Sequence, residues 1–220
     1  MAATVIHGRL GRVRITGSVA TTSTNVAATL SSDDDVTLTI ANTSRRHWST
    51  STMPRLYGAT TGTELTDAYT VDRVRGRIVF STAHSTAVAY KVDIAWLPTS
   101  CLGHTRSWSL EVANSLADAT VFSCSTSETT WREYVPGAGE ATIQLGRLIS
   151  STESSAVPFF DRQILGTPLY VELMPNATAG DMFECYAYVQ SDANSRAVDN
   201  LAEENITLKV DGPVYFTTST

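Results

Sequence analysis

The run AVAYKVDIAWL, residues 87–97, alternates apolar and more polar side chains with a period of two. Successive side chains of a β-strand point to opposite faces, so this spacing predicts a strand with one buried face and one wetter face. The same alternation recurs in VTLTI (36–40), SWSLEV (107–112), PLYVELM (168–174), MFECYAYVQ (182–190) and NITLKV (205–210). The sequence therefore predicts an all-β protein, mainly antiparallel, built as a β-sandwich or half-barrel.

Helical signals are confined to two short windows. ETTWREYV, residues 128–135, is followed by Pro136 and Gly137, and STESSAVPFFDRQILG, residues 151–166, ends in a glycine that can terminate a helix. We expect one or two short helices. Clusters of Gly, Pro, Asp and Asn predict turns at 72–76, 136–139, 175–180 and 211–213.

The length of 220 residues suits one domain, and we expect residues 1–220 to form a single β domain. Two stretches, at about 16–35 and 41–66, lack both periodicities and are predicted to be long loops. Long loops in compact domains are uncommon unless they are functional or mobile. We expect the 41–66 loop to contact a neighbouring subunit.

The charge and composition of the chain limit the kinds of partner that it can bind. The net charge is -6 and only 17% of the residues are charged, which argues against a protein that grips nucleic acid through its phosphates. No apolar run approaches the roughly 18 residues needed to cross a bilayer, so no membrane partner is expected. Three scattered cysteines, Cys101, Cys124 and Cys185, are typical of a reducing compartment.

Patterns typical of catalysis are lacking in the sequence. Cys101 and His104 are three residues apart, but no second pair of ligands accompanies them, and there is neither a phosphate-binding glycine loop nor a GxSxG nucleophile motif. We therefore expect no enzyme activity, no cofactor and no metal. Trp96, Trp108, Trp131, Tyr186 and Tyr188 leave open a carbohydrate-binding β-sandwich, although large rings on alternating strands are more often buried in a core or an interface.

Two segments carry a family resemblance. AYTVDRVRGRIVFST, residues 68–82, predicts a hairpin that turns at Arg75 and Gly76. Residues 106–148 contain RSWSLEV, TVFS and TTWREYVPGAGEATIQLGRL in that order. Together with the strands from Leu169 onward, this layout resembles the major tail tube proteins of long-tailed bacteriophages. The resemblance covers roughly residues 69–216.

The resemblance implies a β-sandwich or half-barrel with a short helix, in which hexameric rings stack into a tail tube that conducts DNA without binding it tightly. It implies contacts with further copies and with the tape measure, terminator and baseplate proteins. It also implies assembly in the bacterial host cytoplasm and a final place in the virion tail. A tail terminator, head-tail joining or capsid decoration protein remains an alternative.

Particular residues are candidates for roles in such a tube. Acids opposite the apolar phase of long strands are candidates to face the lumen, where they would repel phosphate: Glu111, Glu172 and Glu184. The outer wall is the other place that such acids can face. Three residues are expected to anchor the first helix or turn against the sheet: Trp131, Arg132 and Tyr134.

Overall fold

The fold is given by a computed structural model that describes residues 11–16, 20–58, 62–118, 134–149, 159–176, 178, 180–195 and 202–218. Within these residues the chain forms thirteen β-strands, one α-helix and one short 3-10 helix. The elements are β1 (Arg12–Thr16), β2 (Thr21–Leu30), β3 (Thr37–Ile40), the 3-10 helix (Thr43–Arg45), β4 (Arg55–Gly58), β5 (Tyr69–Asp72), β6 (Arg77–Phe80), β7 (Tyr90–Trp96), β8 (Thr99–Cys101), β9 (Thr105–Asp118), β10 (Tyr134–Leu148), α1 (Phe159–Leu165), β11 (Leu169–Asn176), β12 (Asp181–Ser195) and β13 (Glu203–Thr217). The predicted all-β class is confirmed.

A seven-stranded antiparallel sheet has the order β8-β1-β11-β12-β13-β10-β9. It curls so that β1 also contacts β9, although several strands separate them in the sheet order. Its concave face holds the larger apolar core, which includes Val13, Ile15, Ile143, Leu145, Phe159, Leu169, Val171, Leu173, Ile206 and Leu208. The apolar phase of PLYVELM, at Leu169, Val171 and Leu173, enters this core as the alternation predicts.

A second antiparallel sheet, with the order β4-β7-β2-β3-β6-β5, is formed by one contiguous stretch of chain between β1 and β8. In β7 the buried side chains Tyr90, Val92 and Ile94 follow the predicted alternation. The predicted loop at 16–35 is wrong, because Thr21–Leu30 is the strand β2. The 41–66 stretch contains the 3-10 helix and β4.

The two sheets are joined by a small shared core of Val74, Leu97, Tyr170 and Tyr186. The Tyr186 hydroxyl donates hydrogen bonds to the backbone oxygens of Trp48 and Arg73, both from the six-stranded side. The His47 ring stacks on Tyr170 with ring centroids 3.8 Å apart. Arg73 and Val74 lie in the turn between β5 and β6, so their contacts with Tyr186 and the shared core fix that turn against the seven-stranded sheet.

Two of the four predicted turns are found as turns between strands, at 72–76 and within 175–180. The other two predictions are wrong, because 136–139 lies inside β10 and 211–213 lies inside β13. In both places the strand pairing shifts register, so Gly and Pro mark an irregularity within a long strand. The window 151–166 contains α1, which ends just before Gly166.

Candidate assembly interface

Four long strands, β9, β10, β12 and β13, form one side of the seven-stranded sheet, and each has 14 or 15 residues. At about 3.3 Å per residue, each spans nearly 50 Å. Register partners join β10 to β13 only between 142 and 148, whereas β10 pairs with β9 from 134 to 147. Residues 112–118 and 134–141 therefore pair only with each other within the described chain. We call this two-stranded ribbon the β-arm.

One face of the β-arm is apolar and exposed. Trp108 and Leu110 of β9 pack against the core, and Val112 and Leu116 lie on the same strand face further along. Val112 is 61% exposed and Leu116 is 60% exposed. The apolar stripe that begins in the core therefore continues on the β-arm, where none of the described residues buries Val112 or Leu116.

Such a ribbon has physical consequences. A two-stranded hairpin is at best marginally stable alone in water, because neither face is buried. Its outer edge presents backbone N–H and C=O groups that a further strand can pair. The β-arm therefore has an edge and an apolar face that are suited to a second polypeptide.

The helix α1 presents a second exposed apolar surface. Phe159 is 1% exposed and packs into the core, and Gln163 Nε2 donates a hydrogen bond to the Gln190 backbone oxygen of β12 at 3.0 Å. The outward side of the same helix carries Phe160, Ile164 and Leu165, which are between 62% and 72% exposed. Large apolar side chains clustered on so short a helix are typical of a protein interface.

The opposite face of β9 and β10 is polar. Glu111 is exposed and lies opposite Thr142 of β10. Ser109 and Gln144 pair on the same face, and Lys209 Nζ lies 2.7 Å from Oε2 of Glu140. This ion pair and hydrogen bond lower the pKa of Glu140. This part of the face is hydrophilic, whereas Val135, the register partner of Ala117, lies further along the same face and is 55% exposed.

Glu172 and Glu184, predicted to face a lumen, are instead buried at 2% and 6% exposure. Arg14 Nη1 donates to Oε2 of Glu172 at 2.9 Å, and His47 Nε2 lies 3.2 Å from its Oε1. Both acids do lie opposite the apolar phase, as predicted, but the six-stranded sheet covers that face at β11 and β12. The alternation could not reveal this cover, since it says which residues share a face and not what the face meets.

Glu184 is held within the same contact by hydroxyl groups. It accepts hydrogen bonds from the hydroxyls of Tyr170, at 3.1 Å, and Thr217, at 2.9 Å. Burial, followed by the charges of Glu184 and Glu172, raises the pKa of Tyr170. Tyr170 therefore stays protonated and remains a hydrogen-bond donor to the carboxylate.

Of the three predicted anchor residues, Trp131 and Arg132 lie outside the described residues. Tyr134 is the first residue of β10 and so belongs to a strand. Their predicted anchoring role stays a prediction.

Sequence reasoning missed an arginine-lined cleft between the two sheets, of about 590 Å³. Its arginines, Arg14, Arg46, Arg75 and Arg77, come from three separate segments. The only signal in the sequence was the density of arginine at 73–77 in an otherwise acidic chain.

In the described part of the chain, no group of three or more His, Cys, Asp or Glu side chains is placed to hold a metal ion. Among the same residues, no helix has the length and hydropathy to cross a membrane.

No protein-family model matches the sequence, and no curated protein is similar to it. Solved structures are similar to part of the fold. The virion of a native gene transfer agent particle contains a chain with 15% identity and a TM-score of 0.46, covering 55% of this chain and 89% of that one. The tail of an empty gene transfer agent particle, refined with C6 symmetry, gives 15% identity and a TM-score of 0.45 over 55% and 87%.

The tail tube of SPP1 is also similar, with 14% identity and a TM-score of 0.40 over 55% of this chain and 69% of that one.

Proposed function

We propose that this chain is a structural virion protein that self-assembles into hexameric rings, and that the rings stack into the tube of a phage-type tail. The tube conducts DNA during ejection, and the protein has no enzyme activity. Residues 1–220 act as a single domain, and the contacts that join the two sheets through Tyr186 and His47 support this. Assembly takes place in the cytoplasm of the bacterial host, and the final location is the virion tail.

The β-arm is the observation that carries the proposal. It is an antiparallel ribbon whose outer edge has no strand partner among the residues that the structure describes, and it carries an apolar stripe at Val112 and Leu116. A ring of copies pairs every such edge with a neighbour and leaves none open. The exposed face of α1 supports the same role, because a second apolar surface lets each copy contact more than one neighbour.

The polar face of β9 and β10 is proposed to line the lumen. Glu111 is exposed there, and a ring repeats its charge around the bore. An acidic wall repels phosphate, so DNA passes without adhering. Besides further copies of the chain, the proposed partners are the terminator, baseplate and tape measure proteins.

Electron microscopy of the purified protein at rising concentration tests the proposal. We expect rings or tubes with a central hole, in equilibrium with a smaller species. Leu116→Asp should abolish them, because a charge on the apolar stripe cannot be buried against a neighbour without a large desolvation penalty. The monomer should stay folded, since Leu116 is exposed in the single chain.

Ala113→Asp is the matched control. Ala113 is exposed on the same strand, and its odd position places it on the opposite face of the ribbon. Assembly should survive this substitution. Wild-type protein that stays monomeric at high concentration would contradict the proposal, and single rings that never stack would favour a terminator or head-tail joining protein.

A further inference from the structure

The arginine-lined cleft has more positive charge than its own carboxylates neutralise. Glu172 is already engaged by Arg14 and His47. Glu184 is engaged by hydroxyl groups. The other arginines of the cleft, which we call the cleft arginines, are Arg46, Arg75 and Arg77.

Among the described residues, none of the cleft arginines forms an ion pair. The Nε atoms of Arg46 and Arg77 are shielded from water and lack a hydrogen-bond partner within the described chain. A buried N–H without an acceptor costs free energy. The Arg75 guanidinium lies 3.9 Å from the ring centroid of Tyr215, which holds it in place at the cleft. The nearest carboxylate in sequence, Asp72, accepts the backbone N–H of Arg75. The cleft is therefore preorganised and short of acceptors.

The opposite end of the six-stranded sheet carries the complementary charge. β2 pairs antiparallel with β3, β3 with β6, and β6 with β5. The β2–β3 turn and the β5–β6 turn must therefore lie at opposite ends of these strands. The first contains SSDDD, residues 31–35, and the second contains Arg75.

The acidic turn is itself well ordered. Asp34 Oδ1 accepts the backbone N–H groups of Val36 and Thr37, and Oδ2 accepts the Thr37 hydroxyl. These hydrogen bonds, led by the Thr37 hydroxyl, lower the pKa of Asp34. Asp33 and Asp35 are exposed on either side of it. Two carboxylates are thus presented to solvent from a turn that is already fixed.

We propose that the acidic turn, residues 31–35 of one copy, docks into the cleft between the two sheets of the next copy, where Asp33 and Asp35 pair with the cleft arginines. Arginine binds carboxylates through paired N–H groups, which supply the acceptors that the cleft lacks. A contact between opposite ends of identical chains is head to tail, and it builds an open polymer. This inference rests on the proposed function and assigns the contact to the stacking of one ring on the next.

Charge reversal tests it. Asp33→Lys combined with Asp35→Asn should leave rings intact but shorten tubes about tenfold, because like charges meet across the contact. Asn is chosen at position 35 because Asp35 has a φ of 53°, a conformation that Asn tolerates. Arg75→Glu combined with Arg77→Glu should have the same effect. All four substitutions in one chain should restore long tubes.

Arg55→Glu is the matched control, because Arg55 is an exposed arginine on β4 and does not line the cleft. It should leave tube length unchanged. The acidic-turn variant keeps the test decisive if the cleft variant fails to fold, since its two positions are exposed.

Normal tubes from the acidic-turn variant, with wild-type tubes also normal, would overturn this inference and leave the proposed function intact. Absence of rings and tubes from wild-type protein would instead overturn the proposed function. Duplex DNA that binds wild-type protein tightly at physiological ionic strength, and is released by Arg75→Glu, would assign the cleft to nucleic acid and refute the docking of a second copy.

Discussion

Asp192 of β12 is a carboxyl group that the fold holds beside another carboxyl group. Burial, followed by the charge of Glu204 and a hydrogen bond to it, raises the pKa of Asp192 from 3.8 to about 6. Arg147 Nε pairs with Glu204, so the three side chains form one cluster between β10, β12 and β13. A raised pKa means that the folded chain binds this proton more tightly than the unfolded chain does.

Asp192→Asn should therefore stabilise the protein at neutral pH. The wild type loses stability as the pH rises from 3.8 towards about 6, and the loss is complete above that value. Asn keeps a donor towards Glu204 without a charge. Thermal unfolding should show a higher Tm for the variant at pH 7 and equal values near pH 4, whereas an equal gap at both pH values would show that the carboxyl does not titrate in this way.

Gly76 is required at the hairpin turn for two reasons. Its φ is +60°, and a Cβ there would lie 2.5 Å from the backbone oxygen of Arg46. Gly62 has nearly the same φ of +64° but nothing within 4 Å of such a Cβ. Comparing alanine substitutions at Gly62 and Gly76 therefore separates the cost of backbone strain from the cost of steric overlap.

Gly62→Ala should cost roughly 1–2 kcal/mol through strain alone. Gly76→Ala should exceed it by about 1–3 kcal/mol, because the chain must move to admit the methyl group. Denaturant unfolding of both variants measures the difference. Equal losses would mean that the approach to Arg46 is looser than the structure shows.

At the scale of elements, two neighbouring residues of α1, Phe159 and Phe160, should contribute very differently to the stability of the folded chain. Phe159→Ala should destabilise the chain by about 3–5 kcal/mol, because the ring fills the core of the seven-stranded sheet. Phe160→Ala should change stability by less than about 0.5 kcal/mol, since that ring is 62% exposed. Denaturant unfolding compares the two, and a large loss from Phe160→Ala in the monomer would contradict the exposed face of α1.

Strands with strict alternation could be predicted from the sequence, and β2 could not. In TTSTNVAATL the pairing with β7 shifts register between Ser23 and Val26, and Asn25 adopts a φ of 54°. The slip breaks the period of two, and small polar side chains supply little apolar signal on either side of it. The strand is formed by its neighbours in the sheet, which a local pattern does not contain.

The candidate interface was predictable in part. Trp108, Leu110 and Val112 share a face in the sequence pattern, but the pattern does not say where the core ends and the β-arm begins. The cleft arginines come from segments about 30 residues apart, so only the pairing of the strands brings them together. Glu111 kept its predicted exposure because β9 lies at the sheet edge away from the second sheet.

At the scale of the whole molecule, Glu111 should control how DNA interacts with an assembled tube. Glu111→Lys reverses a charge that is repeated in every copy, so tubes of this variant should retain duplex DNA and release it as salt is raised. Glu64→Lys, an exposed acid in the six-stranded half of the chain, should not. Co-sedimentation of DNA with tubes measures the effect, and equal retention by both variants would place Glu111 outside the lumen.

The chain leaves the seven-stranded sheet at the end of β1, forms the whole six-stranded sheet, and returns at β8, which pairs with β1. Thr16 of β1 and Thr99 of β8 are register partners, and everything in the second sheet lies between them along the chain. A short connection can therefore replace that whole stretch without moving either strand, provided that Tyr170, Glu172 and Tyr186 are made compatible with water. The shortened chain would keep the β-arm but lose both the acidic turn and the cleft arginines, so we expect it to form the proposed rings without stacking them.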